Sequence, residues 1–135
     1  MSVDSSNILD PNWARSKSGR FHRFINLDPE EEGLSNISGV YVIWHAGIRP
    51  AWVYMGKSDD LAAAFHELGN NQEILDYEVN GGLFVSWSLV RPQHQDGVLR
   101  YLETALHPLV TNPDGPGEDV APIPVYAPGH AAKIE

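Results

Sequence analysis

The sequence predicts an α/β fold, a small sandwich with helices packed on a three-stranded core sheet in the order hairpin, helix, strand, helix. Three observations carry this. Two runs rich in β-branched and aromatic residues, 39–45 and 51–56, flank a Gly- and Pro-bearing turn. An apolar helical stripe follows them, and a third strand-like run, 83–90, precedes a second stripe. The chain of 135 residues is 42% hydrophobic and 20% charged, enough to bury a core without staples.

Three regions follow along the chain. Residues 1–38 form an N-terminal extension, partly extended. Within it, 1–12 read as a frayed tail and 21–26 as a short edge strand. The loop after it carries the solvated acidic run Glu30–Glu32 and the helix breakers Gly33 and Ser35. Residues 39–112 form the core. Gly39 to His45 alternates Val40, Val42 and Trp44 with Tyr41, Ile43 and His45, apolar on both sides, as in a sheet covered on both faces. Ala46 to Pro50 turns the chain into Ala51–Gly56, completing a hairpin. Ser58 is the expected cap of the next helix, with Asp59 and Asp60 favoured by its dipole. Its buried face is Leu61, Phe65 and Leu68, and Gly69-Asn70-Asn71 ends it. Residues 72–79 add one or two helical turns, and Gly81-Gly82 breaks the chain before the third strand. Pro92 to Gly97 is expected to be a turn, with Asp96 capping a helix that buries Leu99, Leu102, Ala105 and Leu106 until Pro108 stops it. Residues 113–135 are a Pro-rich tail, with prolines at 113, 116, 122, 124 and 128, packed on or wrapping the core.

Charge and composition exclude several functions. Nine basic residues against eighteen acidic give a net charge of −9, so the body repels a polyanion and a nucleic-acid partner is disfavoured. Residues 1–24 are the exception, with Arg15, Lys17, Arg20 and Arg23 against Asp4 and Asp10. They form either a basic arm or an ordinary solvated segment. There is no cysteine, hence no disulfide and no thiolate metal site. The apolar runs are too short to span a membrane, and the N-terminus lacks the order of a signal peptide, so a cytoplasmic location is expected. No phosphate loop, nucleophile elbow or zinc signature occurs, and the six histidines show no compact ligand spacing.

One constellation does point to chemistry. Gly39-Val40-Tyr41, followed thirteen residues later from tyrosine to tyrosine by Tyr54-Met55-Gly56, resembles the paired motifs of the GIY-YIG nuclease family. The continuation Lys57 to Leu61, the helix bearing Leu102-Glu103 and the trailing Asn112 extend the resemblance over roughly residues 39–112. It implies phosphodiester hydrolysis with one divalent cation, Mg²⁺ or Mn²⁺, and no other cofactor. In that chemistry a hairpin tyrosine helps activate water, a glutamate holds the metal, and an arginine on the first helix stabilises the developing charge. Carried over, Tyr41 and Tyr54 are the catalytic tyrosines, Glu103 the metal ligand and Asn112 the trailing asparagine. The arginine does not carry over. Its position, ten residues after Tyr54, is Ala64, and no residue from Asp59 to Leu68 is a lysine or arginine. Losing one such donor costs about 10²–10³ in rate. Lys57 is the nearest remaining cation.

Each of these residues also has a plainer reading. Tyr41 and Tyr54 are ordinary aromatic strand residues, Glu103 borders an apolar stripe and can pair with Arg100, and Asn112 suits a turn before Pro113. The interval from Glu103 to Asn112 is also shorter than the family usually shows. His45, on the face of Tyr41 and Ile43, either borders a site or faces water. Three functions are therefore carried forward. The first is a GIY-YIG-like domain with lost or weak endonuclease activity, acting as a binding or accessory module. The second is an active, divergent endonuclease with its arginine relocated to Arg15, Arg20, Arg23, Arg49 or Arg91. The third is a protein-interaction domain unrelated to nucleic acid, using the Pro-rich tail or exposed tryptophans.

Overall fold

The computed structural model describes residues 8–129. Its elements are β1 (His22–Arg23), β2 (Gly39–His45), β3 (Ala51–Ser58), α1 (Leu61–Leu68), the single turn α2 (Gln72–Leu75), β4 (Leu83–Ser88) and α3 (Pro92–Leu106). Short 3-10 turns follow β1 and α2. The mixed α/β class is as expected, but the sheet has four strands rather than three. The order is β1-β4-β2-β3, antiparallel throughout. The fourth is the two-residue β1, inside the edge strand expected over 21–26, which pairs His22 with Val85 and Arg23 with Phe84. It is shorter than expected because Phe24–Asn26 turns into a 3-10 helix.

Strand alternation divides the core in two. Tyr41, Ile43, Tyr54, Val85 and Trp87 point to one face, where Leu61, Phe65 and Leu68 of α1 pack against them. Val40, Val42 and Met55 point to the other and meet Val98, Leu99 and Leu102 of α3. Between Ile43 and Trp44 the β2–β3 register slips, leaving Val53 as an extra residue on β3. Such a bulge bends an edge strand and frees backbone groups. The carbonyls of Trp52 and Val53 accept from the N–H groups of Leu109 and Val110, at 3.0 and 2.8 Å. Residues 109–112 thus cover the outer edge of β3 and carry the chain from the α3 face to the α1 face.

Several local expectations are corrected. Asp60, not Ser58, caps α1, its carboxylate accepting from Ala63 N–H at 3.2 Å; the Ser58 hydroxyl is engaged with the backbone of Asp60. Helix α3 begins at Pro92, so 92–97 makes up more than its first turn and Asp96 lies inside the helix. Proline suits that position because its missing N–H would have no helical partner there. The buried Gln95 amide then ties the turn to Ser38 and the Val90 carbonyl, both at 2.8 Å. Gly97 belongs in the helix because Ile123 of the tail lies on it; a Cβ there would fall 2.6 Å from the Ile123 side chain. The helix ends on His107, left-handed at φ 51°, just before Pro108.

The ends of the described chain hold each other. Leu9 forms a parallel bridge with Val125, and the half-buried Trp13 indole donates to the Tyr126 carbonyl at 2.6 Å. Ala14 N–H donates to the Trp87 carbonyl, and the buried hydroxyls of Ser86 and Ser88 donate to the carbonyls of Ala14 and Pro11. Residues 9–12 are therefore docked rather than frayed, and the tail wraps the core up to residue 129. The expectations for residues 1–7 and 130–135 lie outside the described residues. Among the described residues no helix is long and apolar enough to cross a membrane.

Candidate functional site

A cleft of about 310 Å³ opens where β2, β3, α1 and the segment after α3 meet. Tyr41 and Tyr54, on the α1 face of adjacent strands, form its floor with their rings 6.3 Å apart and tilted by 21°. Phe65 of α1 stands edge-on to Tyr41 at 5.4 Å and fixes its plane. Ala63, Ala64 and Glu67 form one wall, and Asn112 and Asp114 the other.

Gly56 explains why a strand can bear this arrangement. It pairs with Tyr41, and a Cβ at position 56 would fall 2.5 Å from the Tyr41 hydroxyl and 2.9 Å from the Asn112 amide nitrogen. The bare backbone lets the phenol lie flat across β3. Asn112 serves as both turn residue and cleft residue. Its amide donates to the Met55 carbonyl at 3.1 Å, and its side-chain oxygen accepts from Asp114 N–H at 2.9 Å, closing an Asx turn.

The electrostatics of the cleft are negative. Burial pushes the Tyr41 phenol well above its ordinary range, with Tyr54, Glu67 and Asp114 adding to the shift. Burial also raises Tyr54, and Asp114, Glu67 and Glu103 reinforce it. Both phenols keep their protons at neutral pH, poor starting points for bases but good donors and acceptors. Both residues are more than nine-tenths buried, and their hydroxyls, without a hydrogen-bond partner among the described residues, open to the cleft.

The remaining sequence-predicted residues fall in different places. Ala64 lines the cleft, so the position that the resemblance gives to an arginine does face it. Lys57 borders the cleft, but its ammonium is 2.8 Å from Asp96 of α3. Glu103 is not in the lining. Its carboxylate lies behind the 112–115 turn, where a Cβ on Gly115 would fall 2.9 and 3.1 Å from its oxygens. Burial raises its pKa, and Arg100 opposes the shift. His45 does not join the site. Buried at the far end of β2, it stacks on Tyr77 with centroids 5.9 Å apart and accepts from Gly47 N–H.

None of the five candidate arginines lines the cleft. Arg15 lies over the Phe21 ring, Arg23 pairs with Glu78 at 2.6 Å, and Arg49 and Arg91 border other hollows. Among the described residues no group of three or more His, Asp or Glu is placed to hold a metal ion. Sequence reasoning missed Glu67 and Asp114. The spacing of Ala63, Ala64 and Glu67 beside the apolar stripe was the available signal for the first. Nothing local marked the second, which reaches the cleft through the chain's passage around β3. No family model, curated protein or solved structure matches the chain.

Proposed function

We propose that the protein is a GIY-YIG-nuclease-like domain in which efficient endonuclease activity is lost and the cleft serves a binding or accessory role. The observation that carries this reading is Ala64. Tyr41, Tyr54 and Asn112 share one cleft, yet the helix wall facing them offers methyl groups and the Glu67 carboxylate where a phosphodiester needs a cation. Phosphoryl transfer relies on positive groups aimed at developing negative charge, and here the lining cation Lys57 is paired with Asp96 while Glu67 and Asp114 have the opposite sign.

Glu103 is the residue that would hold a divalent cation. A single carboxylate suits Mg²⁺, which keeps several waters, although here Gly115 packs close against it, with a Cβ at 115 falling 2.9 Å from the carboxylate. Were an ion held there, it would supply charge neutralisation at a phosphate. Tyr41 and Tyr54 hold protons and orient whatever enters, and Asn112 fixes the rim.

The test is cleavage of supercoiled and branched DNA by the purified protein with Mg²⁺ or Mn²⁺. The expected result is no cleavage above that of Glu103→Ala. Metal-dependent cleavage that Glu103→Ala abolishes would overturn the proposal.

A further inference from the structure

We propose that the tyrosine cleft binds an organic cation, the guanidinium or ammonium group of an arginine or lysine side chain presented by a protein partner. The inference rests on reading this cleft as a binding site, and it names what the site takes.

Two independent features converge. The first is charge. Glu67 and Asp114 face each other across the opening, and Glu103 lies behind the Asp114 turn. Lys57, the cation in the lining, has its ammonium committed to Asp96. The second feature is unspent hydrogen-bonding capacity. Tyr41 and Tyr54 are 5% and 8% exposed, and their hydroxyls reach the cleft without a partner among the described residues. Each hydroxyl is open to the cleft and can donate and accept, so an entering polar group can take the place of water on it.

A guanidinium meets all of these groups. Its N–H fork donates to the carboxylates and to the phenol oxygens. An ammonium satisfies the charges with less directional fit. A phosphate or other anion would face carboxylates at the mouth and would leave their charge uncompensated. The volume of about 310 Å³ suits one side chain with accompanying water rather than a nucleotide pair.

The experiment is a titration of the full chain, followed by NMR, with two probes: N-acetyl-arginine amide and a peptide of alternating glycine and arginine. The expected result is saturable shifts at Tyr41, Tyr54 and Asn112. The double variant Glu67→Gln/Asp114→Asn is expected to weaken binding by about tenfold, since each exposed charge contributes up to about fivefold. The charge-matched control Glu73→Gln/Glu118→Gln, away from the cleft, is expected to stay within about twofold. Saturation by either probe sustains the inference, the amide pointing to a lone cation and the peptide alone to a longer partner segment. Absence of saturable binding, equal weakening by both double variants, or equal binding of a citrulline peptide overturns it. Any of these with DNA left intact leaves the proposed function standing, whereas metal-dependent DNA cleavage removes that function.

Discussion

The two faces of the sheet are built from the same two strands and are put to different uses. On the α3 face, Val40, Val42 and Met55 meet Val98, Leu99 and Leu102, aliphatic groups that are fully or almost fully buried. On the α1 face, the neighbouring positions bear Tyr41 and Tyr54, whose rings are packed but whose hydroxyls reach an open cleft. The first face maximises burial. The second gives up some packing to hold polar atoms at fixed positions, so the faces should respond differently to substitution.

The largest effect is expected on the aliphatic face. Leu102 has no exposed surface and packs between α3 and the sheet. Leu102→Ala should cost about 2–5 kcal/mol of stability, read from chemical denaturation, through lost transfer energy and a residual cavity. A loss below about 1 kcal/mol would show that α3 is loosely docked and that the comparison fails.

A smaller loss is expected at the seam between strands and cleft. Gly56→Ala places a methyl against the Tyr41 hydroxyl and the Asn112 amide, so the phenol ring or the 112–115 turn has to move. The cost should be about 1–3 kcal/mol, as for other overpacked sites. The NMR signals of Tyr41 and Asn112 should shift more than those of Val42 or Leu99. Equal perturbation of both faces would mean that the cleft is not a separately adjustable part.

Much of this division was legible in the sequence. The alternation from Gly39 to His45, the stripe of Leu61, Phe65 and Leu68, and the stop at Pro108 each reflect local physics, and each element formed. The Tyr41 and Tyr54 spacing placed both rings in one cleft, and Ala64 facing it follows from helical periodicity. What was not legible depended on distant chain. The start of α3 at Pro92 is secured by Gln95 reaching Ser38, fifty-seven residues away. The docking of residues 9–14 depends on β4 and on the tail. Asp114 reaches the cleft because backbone groups freed by the Val53 bulge accept from Leu109 and Val110, a pairing no local window reveals.

The smallest effect at neutral pH is also the most discriminating. Tyr41→Phe removes a hydroxyl that bonds to nothing among the described residues and leaves the ring against Phe65. Stability near pH 7 should change by less than about 0.5 kcal/mol, because no hydrogen bond is lost and no partner is stranded. Ser86→Ala, whose hydroxyl bonds Ala14 at 2.7 Å, should cost about 0.5–1.5 kcal/mol by the same reasoning. Alkaline pH then separates the Tyr41 variant from the parent. An unfolded phenol loses its proton near pH ~10, whereas burial keeps the folded Tyr41 protonated well above that. Above about pH 10 the folded state thus binds more protons than the unfolded one, and stability falls as pH rises. That contribution is present in full below the unfolded value and is lost as pH climbs through the folded one. Without the ionisable group, Tyr41→Phe should fall less steeply in alkali and overtake the parent there. Parallel curves for the two proteins would mean that the Tyr41 phenol is solvated like a surface tyrosine and that the cleft does not hold it desolvated.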